Sequence, residues 1–137
     1  MPADPGSRKL DRPLVVLALM LSMAMAAMEM TIVSTAMPTI VGELGGLSLY
    51  AWVAAVYLLT STVTVPLYGK LADLLGRKPV MIAGIAIFLV GSIGCGLAHT
   101  MPVLIVFRGI QGLGAGAMQP LAMTIIGDLF DIRERAR

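Results

Sequence analysis

The sequence predicts an all-α, polytopic membrane protein with four transmembrane helices, and three observations carry that expectation. Its 137 residues are 58% hydrophobic and only 13% charged, with a mean hydropathy of +0.90, far from the composition of a soluble domain. Four apolar stretches, approximately residues 14–37, 49–68, 79–98 and 102–127, are each long enough to cross a hydrocarbon core of roughly 30 Å. Finally, Arg8, Lys9, Arg12, Lys70, Arg77, Lys78, Arg133, Arg135 and Arg137 all fall on one side if the N-terminus is cytoplasmic, and the two opposite loops carry no Lys or Arg. A multi-pass membrane protein with a cytoplasmic N-terminus is the expected arrangement.

Residues 1–12, polar and containing two prolines, read as a cytoplasmic tail. The first helix is expected to start near Pro13, a favourable first-turn residue, and to end in the region of Pro38, Gly42, Gly45 and Gly46. Tyr50 and Trp52 open the second helix at the outer interface, where amphipathic rings favour the headgroup level. Within that helix Tyr57, Ser61, Thr64 and Tyr68 recur at helical spacing as one hydroxyl-bearing face, open to helix–helix hydrogen bonding or to a substrate path. Residues 69–78 then form a tight charged cytoplasmic hairpin, because two spans separated by so few residues must turn back at once.

Gly84, Gly91, Gly94 and Gly96 mark the third helix, and Gly109, Gly112, Gly114 and Gly116 the fourth. In lipid an oily side chain gains nothing by leaving the tails, so small residues that let backbones approach are the expected packing device. Pro120 removes a backbone donor and is a candidate kink. Residues 128–137 are highly charged and read as a cytoplasmic connection towards a fifth helix.

Glu29 and Arg108 are the formally charged side chains deep within the predicted spans, and intramembrane charges are costly enough to mark function or pairing. At about 1.5 Å per residue, Glu29 lies roughly 22 Å from the inner start of its helix and Arg108 roughly 9 Å from the outer start of its own. Both therefore fall in the outer half at similar height. They can be a static ion pair that holds helices together, or a pair in which Glu29 gains and loses a proton. Gln111, one turn from Arg108, and Gln119, two turns further, extend a polar face down the fourth helix.

The basic pI of about 9.0 does not imply nucleic acid, because the cations follow the membrane rather than one base-reading face. Enzyme chemistry finds no support: there is one histidine, His99, with no Ser/His/Asp set, metal-ligand spacing or phosphate loop. No cofactor or metal is expected. The single Cys95 cannot form an internal disulfide and reads as a small packing residue.

Three motifs now name a family. Gly69, Leu71, Asp73, Gly76, Arg77 and Lys78 resemble the signature hairpin of the major facilitator superfamily, G-x-L-a-D-r-x-G-r-k, with Leu74 in place of a usual basic residue. Arg108-Gly109-Ile110-Gln111-Gly112-Leu113-Gly114 is similar to its R-x-x-Q-G-x-G pattern. The run from Glu29 to Pro38 resembles the D-x-T-I-V-N-V-A-L-P motif of fourteen-helix drug/proton antiporters, with Glu29 in place of Asp and Ser34 in place of Asn. The resemblance implies part of the N-terminal half of a proton-coupled multidrug exporter of the cell inner (plasma) membrane. Its partners would be the bilayer, protons, a small amphipathic substrate and the remaining helices of a longer transporter. It also implies roles: Glu29 as the proton or cation-substrate carboxylate, Arg108 and Gln111 beside it, and Gly69, Asp73, Gly76, Arg77 and Lys78 as a gate. There Asp73 would pair with cations at cytoplasmic helix ends such as Arg77, Arg133 or Arg135. Rival expectations are an importer of the same superfamily, a four-helix exporter of the small multidrug resistance type, and a truncated fragment that does not transport.

Overall fold

A computed structural model describes residues 7–134 of the chain, with side chains described over 13–127. It is all helical: α1 (Ser7–Leu44), a single 3-10 turn (Leu47–Leu49), α2 (Tyr50–Leu75), α3 (Arg77–Gly96) and α4 (Met101–Glu134). Among the described residues four helical segments are long and apolar enough to cross a membrane: Pro13–Leu44, Leu47–Leu75, Arg77–Gly96 and Met101–Gly127, with mean hydropathies of 2.0, 1.5, 2.1 and 1.3. The chain is a polytopic membrane protein, and its helices run on beyond the apolar stretches that mark them.

Each extension has a local cause. α1 begins at Ser7, inside the stretch read as a tail, and passes through both Pro13 and Pro38 without a break. A proline removes one helical hydrogen bond but need not end a transmembrane helix. What ends α1 is the pair Gly45 and Gly46, with φ of +70° and +76°, a left-handed backbone that an L side chain resists. The Gly45 N–H closes the last turn on the Val41 carbonyl at 2.9 Å.

The charged hairpin is shorter than residues 69–78. Apart from Asp73, Lys70 to Leu75 are good helix formers, and the whole stretch stays helical, so the reversal between α2 and α3 falls on Gly76 alone. Its φ of +93° with ψ of 157° belongs to a region open essentially to glycine, and its N–H bonds the Ala72 carbonyl at 3.0 Å. α4 likewise continues unbroken through Pro120.

α4 is the hub. α3 and α2 pack along most of it, α1 packs on it more lightly, and α2 and α3 touch each other far less. Glycine makes both close seams. On the α2 side, a Cβ at Gly112 would lie 2.0 Å from Thr60 Oγ1 and 2.6 Å from the Tyr57 carbonyl, and one at Gly116 would lie 2.1 Å from Thr64 Oγ1. On the α3 side, a Cβ at Gly91 would meet the Gln111 backbone nitrogen at 2.5 Å, and one at Gly114 the Phe88 nitrogen at 2.3 Å. The GxxxG spacing of Gly112 and Gly116 is thus used within the chain.

The hydroxyls along α2 do not provide helix–helix hydrogen bonds. Thr60 and Thr64 turn back to the carbonyls of Val56 and Thr60 at 2.9 and 2.7 Å, and Ser61 to Leu58 at 3.0 Å, so none bonds across to another helix. This leaves the seam free of polar groups in search of partners and lets the backbones close. Phe88 and Met118 fill the main core, while Met37, Val53, Met101 and Leu104 form a second cluster at the Gly45 end. Leu21, Leu59, Val63, Val90, Ile93 and Val106 remain exposed, as apolar side chains facing lipid do.

Candidate functional site: a buried charge pair

Helical periodicity places the site. Arg108 and Gln111 are three residues apart on α4 and share a face; Val53 and Tyr57, four apart on α2, share another. α1 brings Glu29 to the same height from a third direction. Arg108 is 1% exposed and among the largest fully buried side chains, while the Glu29 side chain is 14% exposed.

The arginine is held from α1, from α2 and from its own helix. Its Nη1 donates to Glu29 Oε1 in a close ion pair, and to Gln111 Oε1 at 2.9 Å. Its Nε reaches the Val53 carbonyl at 3.5 Å. The guanidinium carbon sits 4.1 Å from the centroid of the Tyr57 ring, a cation–π contact. Gln111 Oε1 also accepts from the Cys95 thiol at 3.7 Å, which ties α3 into the network. Nη2 is buried and has no hydrogen-bond partner among the described residues.

Such a pair can do two things. It compensates a guanidinium that alone would be prohibitively costly in this setting, and it makes the α1–α4 contact depend on the charge of one carboxylate. Among the described residues no group of three His, Cys, Asp or Glu is placed to hold a metal ion.

The structure brings together Glu29, Arg108 and Gln111, but Gln119 stands apart, exposed towards the other end of α4. The hairpin residues form no single cluster. Gly69 lies in the last part of α2 with open space around it, and Gly76 makes the turn. Asp73 is exposed, since it follows the buried Ala72 and one residue rotates the helix by about 100°. Among the described residues no ion pair links Asp73 to Arg77 or Lys78. Arg77 opens α3 and has a partner of its own, and Lys78 is exposed. The Arg133 side chain and Arg135 lie outside the described residues. A cavity of about 430 Å³ at the Gly76 end, walled by apolar side chains such as Leu19, Met81 and Ile85, has Arg77 and Lys78 on its lining.

Sequence reasoning missed three members of the network. Tyr57 matters through its ring rather than its hydroxyl, Cys95 is more than a space filler, and the Val53 backbone carbonyl carries no signal in the side-chain pattern. The i, i+4 placement of Val53 and Tyr57 was the clue available.

These features define a helical membrane protein organised around an intramembrane ion pair. The chain belongs to the Major Facilitator Superfamily, whose profile matches residues 19–137, a family of transporters rather than enzymes. It is 53% identical over 137 residues to the Multidrug transporter protein MdtP of Bacillus subtilis, covering all of this chain and 25% of that protein. Multidrug resistance protein 3 of Bacillus subtilis is 50% identical over 123 residues, 90% of this chain and 24% of the relative. Efflux pump dotC of Dothistroma septosporum is 41% identical over 122 residues, 89% of this chain and 21% of the relative. The chain therefore spans about a quarter of the length of the curated relatives it matches. No solved structure matches it.

Proposed function

We propose that the chain is the N-terminal part of a proton-coupled exporter of amphipathic drugs, seated in the cell inner membrane with its N-terminus in the cytoplasm. The single observation that carries the coupling is the ion pair joining Glu29 on α1 to the buried Arg108 on α4. The export direction and the drug class rest on relatives named for multidrug transport, multidrug resistance and efflux. The inside orientation rests on the distribution of Lys and Arg.

In this reading Glu29 is the proton carrier. While ionised it pairs with Arg108 and holds α1 on α4; when protonated it no longer compensates the guanidinium, and the packing of α1 is free to change. A proton then acts as a ligand with different affinity for two arrangements, which is the requirement for driving an alternating-access cycle. Arg108 and Gln111 orient the carboxylate, and Tyr57 fixes the arginine. The substrate passes between this unit and the helices contributed by the rest of a longer transporter. The hairpin residues Gly69, Asp73, Gly76, Arg77 and Lys78, with Arg133 and Arg135, act at the cytoplasmic gate.

The test is Glu29→Gln in the full-length transporter that contains this sequence, assayed in everted membrane vesicles. Drug-dependent proton movement and proton-driven efflux are expected to be lost, and to persist in part with Glu29→Asp. Undiminished efflux in Glu29→Gln removes Glu29 from the mechanism. For the gate, Asp73→Asn is expected to impair efflux with normal membrane insertion, and wild-type efflux rejects that role.

A further inference from the structure

α1 and α3 have little direct contact, because both lean on α4, and the gap between them at the Gly76 end is the cavity of about 430 Å³ described above. Val15, Leu19 and Ser22 wall it from α1 at helical spacing, and Met81, Ile82 and Ile85 wall it from α3. α3 spans Arg77–Gly96, 20 residues and therefore about 30 Å, which matches a hydrocarbon core from end to end. Arg77 and Lys78, in its first turn, thus stand at the headgroup boundary, and Ile85 lies about 12 Å deeper among the acyl chains.

The two ends of this groove ask for different chemistry. Its deep part offers a ligand no polar partner: the Ser22 hydroxyl already donates to the Ala18 carbonyl at 2.8 Å, and the residues around it are apolar. An apolar cavity of roughly 150 Å³ stays dry and takes in benzene, so this larger one calls for hydrocarbon rather than water. The mouth is cationic. Lys78 is exposed, and a guanidinium has five donors, so Arg77 can hold its own partner and a second acceptor. α3 opens at Gly76 without a side-chain cap, and the positive end of its dipole adds to the same charge. Among the described residues lining the cavity there is no Asp or Glu. A zwitterionic headgroup would bring an ammonium that finds no counter-charge on this lining, whereas an anionic one is met by both cations.

We propose that the groove between α1 and α3 binds one anionic phospholipid, with its phosphate held by Arg77 and Lys78 and one acyl chain lying along Met81, Ile82 and Ile85 against α1. Basic pockets between transmembrane helices suit such headgroups. In the orientation proposed above the site faces the cytoplasmic leaflet, where negative lipid charge is concentrated; that assignment alone rests on the reading above. The lipid fills the space that α1 and α3 leave open, and so ties α1, which packs lightly on α4, to the rest of the bundle. Neither proton coupling nor the direction of export enters the argument.

The experiment reconstitutes the 137-residue chain in symmetric phosphatidylcholine bilayers, with nitroxide-labelled phosphatidylglycerol or phosphatidylcholine reporting association through the immobilised part of the spin-resonance spectrum. Phosphatidylglycerol is expected to be preferred by about tenfold at the tightest site, and Lys78→Gln to lower that preference about fivefold. Lys70→Gln, which removes a cation of the same hairpin that is not on the lining, is expected to leave it unchanged. Equal association of the two lipids, or equal losses in Lys70→Gln and Lys78→Gln, overturns the site in favour of general surface charge. Ala18→Leu narrows the groove and keeps both cations, so it is expected to weaken the preference, and an unchanged preference overturns the acyl contact. Displacement of the lipid by inorganic phosphate, at an ionic strength matched with chloride, would make this a free-anion site and also overturns the proposal. The location is read on the unaltered chain, which decides the matter even where a variant fails to fold. A phosphatidylglycerol with a diazirine in its acyl chain is expected to cross-link within residues 15–22 and 81–85, and not at the exposed Leu59 and Val63 of α2. Labelling spread evenly over all lipid-facing residues overturns the groove. The same cross-links are expected in the full-length transporter that contains this sequence; their loss there would mean that another helix fills the groove, and overturns the lipid site. None of these readouts involves efflux, so the lipid site and the coupling role of Glu29 stand or fall separately.

Discussion

At the scale of single residues, Arg108 concentrates the cost of the bundle in one side chain. A guanidinium that is 1% exposed is tolerable only because Glu29, Gln111, the Val53 carbonyl and the Tyr57 ring meet it. Removing the counter-charge leaves a buried cation, so Glu29→Gln is expected to destabilise the α1–α4 packing by about 3 kcal/mol, measured by steric trapping in bicelles. Arg108→Gln combined with Glu29→Gln should cost less than the sum of the single changes, because no uncompensated charge remains. Tyr57 separates two ideas about α2. If the ring face holds the arginine, Tyr57→Phe is nearly silent and Tyr57→Leu loses about 1–2 kcal/mol. A hydroxyl-dependent role would instead make Tyr57→Phe the damaging change. The Glu29–Arg108 pairing was legible in the sequence, since rare charges at matching depths on two helices invite each other. Tyr57 and Cys95 were not, because what they contribute depends on which faces of α2 and α3 turn towards α4.

At the scale of elements, the spans were legible and their ends were not. Hydropathy reports the bilayer's demand for apolar surface, and that demand stops where a helix leaves the lipid, whereas Ser7 to Arg12 and Lys70 to Leu75 remain helical beyond it. Pro38 looked like a terminator and is an interior residue; the pair Gly45 and Gly46 terminates α1. The glycine seams lead to a contrast. Gly112→Ala forces a Cβ to within 2.0 Å of Thr60 Oγ1 and 2.6 Å of a backbone carbonyl, so α2 and α4 must separate. The expected loss is about 1–3 kcal/mol, with weaker α2–α4 cross-linking efficiency as the direct readout. Gly42→Ala, in a helix with nothing within 4 Å, is expected to be neutral or stabilising by up to about 1 kcal/mol in the same assay. Gly76→Ala must adopt a backbone that only glycine tolerates well, with a cost of about 1–3 kcal/mol expected in refolding titrations.

At the scale of the whole molecule, the chain is a four-helix unit matched by about a quarter of much longer transporters. In the function proposed above, alternating access needs two bodies that move against each other, and this four-helix unit supplies only part of one of them. The isolated 137 residues are therefore expected to insert in the membrane and fail to transport; drug-dependent proton flux in vesicles holding this chain alone would refute that. Grafting residues 1–137 in place of the matching residues of the Bacillus subtilis Multidrug transporter protein MdtP is the complementary test, with efflux expected to be retained. The position of α4 at the centre bears on how the protein is made. A ribosome delivers α1, α2 and α3 first, and in the finished bundle these three have little surface in common. Until Met101 to Glu134 emerges they are separate rods in lipid, with Gly91 and Gly94 bare and Glu29 without its cation. A nascent chain halted at His99 should thus leave helices that insert yet do not associate, and the membrane's quality-control proteases would meet an unassembled intermediate at every round of synthesis.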